Sequence, residues 1–405
     1  MKPRAGYLVP AGLVLALLSA QVIGILAGQA LLPQHSHGPL AQRLLCWDAR
    51  YYFSIMQQGY VWVPADARHT QNIAFFPAQA LLNWVGALFA GRTSPLPPLF
   101  FSFIFGAASI FAFHALARGL LPPRAAVFAT ALFAFWPATS FFIMGYPTGL
   151  ISLCVISALG AHLRRQYWRS ALWCGLGSAA APTVVFVVAA LCLVRGVALL
   201  RQGVTLQQAL NLAAWALLCV SGLLAFMLYQ QWRFHDALAF IHAQVAWGTA
   251  PPFIQRLRRL LNWHWYAQQA HTGWQQIAQG LALWWHGQAL PGMTAIEFGI
   301  QRWINSLSMI VAVTGLAAAS AWLWRRAFIV PLAGWFVLAG YAWFIFSTNQ
   351  NMIDVPRLLY PGIALFLGLG WLAGRLPFFG YAMLGLSLLA TGLEAAFAAG
   401  GYWVV

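Results

Sequence analysis

The sequence predicts an all-α polytopic membrane protein, and three observations carry that expectation. Hydrophobic residues fill 61% of the 405 positions and charged residues 7%, against about 25% charged in a soluble domain; the mean hydropathy is +0.72. Apolar runs long enough to span a bilayer recur along the chain. The net charge of +16 rests on arginines that stand singly or in pairs between those runs, as topology determinants do. They form no continuous basic stripe that could follow a phosphate backbone, so nucleic acid is not expected as a partner. Residues 1–405 read as a single integral membrane domain of roughly eleven transmembrane helices.

The elements follow in order. The first run, about Tyr7 to Leu32, is longer than the ~7–15 apolar residues of a cleaved leader, and is expected to stay as a helix with Lys2 and Arg4 inside. HSHGP ends it and opens a first outer loop over 33–96. Within that loop Asp48 to Gln58 reads as a helix lying in the interface, with Tyr51, Ile55 and Gln58 on one face. Ala74 to Gly91 is at the lower limit of a span. Counting it as a crossing would put Arg164, Arg165 and Arg169 outside, against the positive-inside rule, so it reads as a second interfacial helix.

Helices are then expected at about Pro97 to Leu116, Ala125 to Met144 and, after the outer turn GYPTG (Gly145 to Gly149), up to Leu163. Trp168 to Val194 is interrupted near Pro182, and keeping Arg195 and Arg201 inside requires two short antiparallel pieces that meet there. Asn211 to Gln231 crosses outward to an outer segment, 232–297, rich in aromatic residues and expected on the membrane surface. Three helices (Ile300 to Trp324, Phe328 to Phe346, Leu358 to Leu372) and a last one from Pro377 complete the chain, with an outer loop, STNQNMIDVPRLLYP, at 347–361.

On this topology the distinctive polar residues gather on one side: Asp48 with Arg50, His69 with Asn72, the GYPTG turn, His235 with Asp236 and His242, and Asn349 to Arg357. The inner side carries arginines and short loops, and no nucleotide-binding fingerprint occurs anywhere. Asp48 stands out, being one of six acidic residues in the protein and lying close to the hydrocarbon boundary, where a carboxylate is costly. Chemistry on the outer face would need a donor independent of cytosolic nucleotides, such as a lipid-linked phosphate. The five cysteines contain no CxxC pair, which supports neither a disulfide framework nor a thiolate metal site. The histidines are scattered, and no carboxylates pair within a turn to hold a hard cation.

Four of these stretches resemble the PIG-V-type mannosyltransferases. WDARYYFSIMQQGY resembles that family's first-loop motif, NIAFFPAQALL (Asn72 to Leu82) its following FFP segment, DALAFIHAQVAWG (Asp236 to Gly248) a later loop, and DVPRLLYP (Asp354 to Pro361) its C-terminal Pro-Arg loop. The resemblance implies a GT-C bundle with interfacial helices in the first outer loop, a polyprenyl-phosphate sugar donor, usually mannose, and inversion at the sugar carbon. Two positions depart from the pattern. Tyr146-Pro147-Thr148-Gly149 lacks the acid common in that turn, and Ala181-Pro182-Thr183 lacks an arginine. Some GT-C enzymes use a divalent metal, and the missing acid argues against one here; no other cofactor is implied.

The residues give a matching mechanism. Inverting transfer needs a carboxylate to take the acceptor proton and a cation to hold the departing phosphate. Asp48 is the expected base and Arg357 the expected phosphate ligand, with Arg50, His69, Tyr146, Asp236, His242, Asn349 and Asp354 as further substrate-binding candidates. Each has a plainer reading. Asp48 could cap its helix, Arg357 could meet lipid phosphates, Asp236 could pair with Arg233 or His235, His242 could be packed, and Asp354 could orient Arg357. Glu297 reads as a helix cap and Glu394 as a buried packing group. The partners expected are the lipid-linked donor, membrane lipids and an acceptor that the sequence does not identify. The expected setting is a bacterial inner membrane with the site facing the periplasm. A transporter of lipid-linked sugar and an inactive lipid-sugar-binding relative are the competing readings.

Overall fold

A computed structural model describes residues 5–33, 38–248, 262–344 and 354–402, with 252, 254, 255 and 258 between them. Among these residues every regular element is helical. The first apolar run forms α1 (Ala5–Leu31), and the first loop holds α2 (Asp48–Gln58) and α3 (Pro77–Ala90). At 14 residues α3 is about 21 Å long, too short to cross a ~30 Å core. α4 (Leu96–Leu120) leads to α5 (Pro123–Ala134). The helix expected to run on to Met144 breaks instead. Trp136, before Pro137, takes an extended ψ of 142°, as the proline ring demands of its neighbour. The chain continues as a 3-10 segment, Pro137–Ile143, at 60° to α5.

α6 (Thr148–Leu163), α7 (Tyr167–Ser178) and α8 (Val184–Gln202) follow. The break near Pro182 is present, and Arg195 of α8 lies over the ring of Tyr167 at the start of α7, so the two run antiparallel. α8 is not a short piece, for at 19 residues it is long enough to cross alone. The next crossing is also bent, by 64°, between α9 (Leu206–Cys219) and α10 (Ser221–Phe234). The segment expected to lie on the surface is, in its described part, largely a hairpin of α11 (Trp263–Trp285) with the first half of α12 (Ala289–Ala327). Gly273 abuts Gly299 and Gly280 abuts Gly292, an antiparallel register. α13 (Ile329–Phe344), a one-turn helix Val355–Leu359, α14 (Ala364–Arg375) and α15 (Pro377–Gly400) complete the fold.

Among the described residues five helices are long and apolar enough to cross a membrane, or seven if each bent pair is one span. Three shorter apolar helices accompany them. The expected count of about eleven includes α7, which at 12 residues does not reach that length. With lipid outside and no hydrophobic drive between helices, packing relies on small residues that let backbones touch. A Cβ on Gly24 or Gly28 of α1 would lie 2.2 Å from the carbonyl oxygens of Gly392 or Ala396 in α15. α14 sits at the centre, buried from Ala364 to Gly370 and packed on α5 and α12. It fixes the turn that precedes it, which carries Arg357.

The first loop is tied to itself by Asn72, which is 5% exposed. Its side-chain oxygen accepts from Val61 N, and its amide donates to Gly59 O and Ser54 Oγ. Gly59 ends α2 with a φ of +80°, a conformation glycine adopts without a Cβ penalty. Phe76, Phe226 and Phe240 then pack the loop onto α10 and the turn after it.

Candidate active site

Asp48 is the first residue of α2, but its side chain does not cap that helix. Its Oδ2 accepts instead from Arg357 Nη1 at 2.8 Å, while its backbone N–H donates to the Tyr146 hydroxyl at 3.1 Å. Arg357 Nη2 donates to Asp354 Oδ2. The guanidinium lies over the rings of Tyr146 and Phe141, 5.0 and 5.2 Å from their centroids, a favourable cation–π position. One arginine thus joins two carboxylates and two aromatic rings drawn from separate parts of the chain.

Backbone contacts hold this cluster. Val355 N–H donates to Asn305 Oδ1 of α12 at 2.7 Å, and Trp136 Nε1 donates to Pro356 O at 3.1 Å. The Tyr360 hydroxyl donates to Phe133 O at 2.7 Å. Ser102 Oγ of α4 reaches Tyr146 O at 2.6 Å and Phe141 O at 3.1 Å. Gly145 turns into Tyr146 with a φ of +77°, where a Cβ would stand 2.6 Å from Leu45 Cδ2 and 3.1 Å from Pro98 Cβ. No other residue fits that turn without strain.

The side chains of Asp354, Arg357 and Asp48 are 8%, 15% and 20% exposed, so Asp48 is the most accessible of the three. Burial pushes the Asp354 carboxyl up to about 7; Arg357 opposes the shift and Asp48 adds to it. Burial works against the Arg357 charge, but Asp354 and Asp48 outweigh it and hold the guanidinium firmly protonated. The Tyr146 hydroxyl is raised well above its ordinary range by burial and by Asp48, so it serves as a neutral hydrogen-bonding group. Asp354 Oδ1 and Arg357 Nε are buried without hydrogen-bond partners.

Asp48, Tyr146, Asp354 and Arg357 therefore come together, and Asp354 orients Arg357 as its spacing allows. Of the other expected residues, Arg50, His69, Asp236 and His242 stand apart from this ion-pair cluster. Arg50 is on the exposed side of α2. His69 pairs with Asp66, and both are exposed. Asp236 pairs at 2.8 Å with His242 rather than with Arg233 or His235. Among the described residues the segment that carries this pair packs on the first loop, through Phe240 against Phe76 and Trp247 against Phe75. Asn349 lies outside the described residues. Glu297 is in the interior of α12, not at its start; Glu394 is 1% exposed and accepts from Ser140. On α2 the buried residues are Ala49, Tyr52, Ile55 and Met56, so of the expected face through Tyr51, Ile55 and Gln58 only Ile55 is buried.

Ser102, Trp136 and Asn305 belong to the site and carry no sequence motif. Where the resembled family has an acid, Thr148 is 4% exposed. A side chain at Gly149 would collide with Gly106 N at 2.4 Å. Among the described residues no three His, Cys, Asp or Glu side chains stand close enough to share a metal ion. The two carboxyl groups share Arg357.

No protein-family model matches the chain. Over 136 residues, 31% of its length, it is 30% identical to the human (Homo sapiens) GPI alpha-1,6-mannosyltransferase 2, and the match spans 26% of that relative. Its helices superpose on the apo oligosaccharyltransferase of Archaeoglobus fulgidus with a TM-score of 0.49 and 14% identity, covering 97% of this chain and 56% of the other. They superpose on ArnT from Cupriavidus metallidurans with TM-scores of 0.39 in the apo state and 0.38 in its complex with undecaprenyl phosphate, both at 16% identity. Those superpositions cover 96% and 94% of this chain and 78% of ArnT. Likenesses at this level assign no residue of the site. The chain is an all-α polytopic membrane protein with a local likeness to a mannosyltransferase.

Proposed function

We propose that the chain is a glycosyltransferase of the GT-C kind, moving a sugar, by preference mannose, from a polyprenyl-phosphate donor to a hydroxyl acceptor with inversion. The reaction would take place on the outer face, which in a bacterial inner membrane is the periplasmic one. The observation that carries this reading is the meeting of Asp48, Arg357 and Asp354 beside Tyr146. The local identity to a mannosyltransferase and the four motif resemblances support it.

In this mechanism Asp48 takes the acceptor hydroxyl proton as the acceptor oxygen bonds to the anomeric carbon. The bond from that carbon to the phosphate oxygen breaks, and its electron pair leaves with the polyprenyl phosphate, which gains one negative charge. Arg357 links the two events. When Asp48 becomes protonated its hold on Nη1 weakens, at the moment the phosphate needs a cation. Asp354 keeps Nη2 and so keeps the guanidinium in place. The aromatic platform of Phe141 and Tyr146 fixes its plane.

A second reading, a transporter of lipid-linked sugar, is favoured by the bent spans at Pro137 and Val220, since transporters place substrate on broken helices. The two separate on one assay with radiolabelled polyprenyl-phosphate mannose. In detergent, where no compartments exist, an enzyme releases polyprenyl phosphate and labels an acceptor. Intact donor in detergent, combined with movement of label across sealed proteoliposomes, would replace the enzyme reading with the transporter.

A further inference from the structure

The Leu163 end of α6, which the positive-inside rule puts on the inner side, carries a second place where an anion fits. Arg165, with a φ of +59° that is uncommon for a residue with a side chain, turns the chain from α6 into α7. A cavity of about 450 Å³ opens there, lined by Arg165, Tyr167, Trp168, Arg169, Arg195 and Asn211 among others. Tyr146 and the Asp48 cluster are at the other end of α6, a 16-residue helix about 24 Å long, so the two places are distinct.

Its charge is unbalanced. The six acidic residues of the protein are Asp48, Asp66, Asp236, Glu297, Asp354 and Glu394, and none lines the cavity. The Arg195 guanidinium is held between the rings of Tyr167 and Trp215, 4.3 and 4.5 Å from their centroids. Trp215 Nε1 in turn donates to Tyr167 O at 2.8 Å. With its plane fixed, Arg195 has Nη1 buried and without a hydrogen-bond partner. Arg165 and Arg169, which also line the cavity, are exposed, and Arg169 Nη1 donates to Gln166 Oε1 at 3.2 Å. From that opening the outer face of α7 presents Trp168, Leu172 and Leu176, spaced i, i+4, i+8 and 54%, 55% and 58% exposed.

We propose that this cavity binds the phosphate of an anionic phospholipid, with the acyl chains lying along Trp168, Leu172 and Leu176. Guanidinium forks match phosphate oxygens in geometry. Basic pockets between membrane helices on the inner side take anionic headgroups. The apolar stripe leading out of the cavity favours a lipid over a soluble phosphate, which would leave that stripe unused.

The test is native mass spectrometry of the full chain titrated with phosphatidylglycerol or phosphatidylcholine, using wild type and Arg165→Gln/Arg169→Gln. Both substituted side chains are exposed, and unchanged thermal unfolding confirms that the fold is kept. The expected result is saturable phosphatidylglycerol binding, little phosphatidylcholine binding, and about 30-fold weaker phosphatidylglycerol binding in the variant, as two lost charges near a lipid surface imply. Equal binding of the two lipids, or phosphatidylglycerol binding that the variant leaves unchanged, would overturn the proposal. Full displacement by millimolar inorganic phosphate would show a soluble phosphate to be the ligand and overturn the lipid assignment.

Discussion

Arg357 Nη1 and Asp48 Oδ2 meet at 2.8 Å across 309 positions of the chain. Because Arg357 also binds Asp354, one guanidinium serves two acids, and removing it leaves both without their cation. Arg357→Ala is expected to cost about 3–5 kcal/mol, the usual penalty for breaking a buried ion pair. Arg357→Lys should fold but act poorly. A single ammonium lacks the planar fork that reaches both carboxylates and stacks on Tyr146. Loss of one charged hydrogen bond, about 1.5–3 kcal/mol, predicts a 10- to 100-fold fall in kcat/KM. Near-normal turnover in the lysine variant would show that the fork is not used.

Asp354 predicts a pH dependence of stability. Its carboxyl holds a proton up to about pH 7 in the folded protein, against 3.8 for an ordinary aspartate. Between about pH 4 and 7 the folded state therefore binds more protons than the unfolded chain, and stability falls as pH rises through that window. Asp354→Asn removes the titrating group. The drop in Tm of the wild type between pH 5 and 8 should be larger than that of the variant, as followed by intrinsic fluorescence. Parallel profiles for the two proteins would contradict this.

Asn305 holds the Arg357 turn from a different helix. Asn305→Ala orphans the buried Val355 N–H, at about 1–3 kcal/mol. If the turn loosens, kcat should fall more than KM rises, because in the proposed mechanism Arg357 is needed most as the phosphate departs. Thermal unfolding combined with steady-state kinetics checks both parts.

Gly145 turns the chain directly into Tyr146. Gly145→Ala imposes a φ of +77° on a residue with a Cβ and pushes against Leu45. A cost of about 1–3 kcal/mol is expected, with activity reduced because Leu45 immediately precedes the segment that presents Asp48. Wild-type stability and activity in this variant would show that the turn yields freely.

Much of the site was legible in the sequence for local reasons. The bounds of α2, Asp48–Gln58, are legible to the residue, because a helix of eleven residues with an acidic start and a closing glycine announces its own ends. The pairing of Asp354 with Arg357 follows from i, i+3 spacing. Other parts depend on contacts between distant segments. Asn305 meets Val355 50 positions away, and no local pattern marks it. The bend at Val220 has no proline to announce it; there Gly222 lies against the backbone of α7, 2.3 Å from Gly175 O to an added Cβ. The α11–α12 hairpin did leave a signal. Gly273 and Gly280, then Gly292 and Gly299, are each seven apart, a small-residue spacing that marks one helix face for close packing.

The most direct test of the account is transfer from radiolabelled polyprenyl-phosphate mannose by the wild type and by Asp48→Asn, with thermal unfolding of both. The amide keeps the shape of the side chain but cannot take the acceptor proton. The account predicts transfer by the wild type and a loss of about 10²–10⁴-fold in the variant, with the fold intact. Undiminished transfer by a folded Asp48→Asn protein would contradict it and remove Asp48 from the role of base.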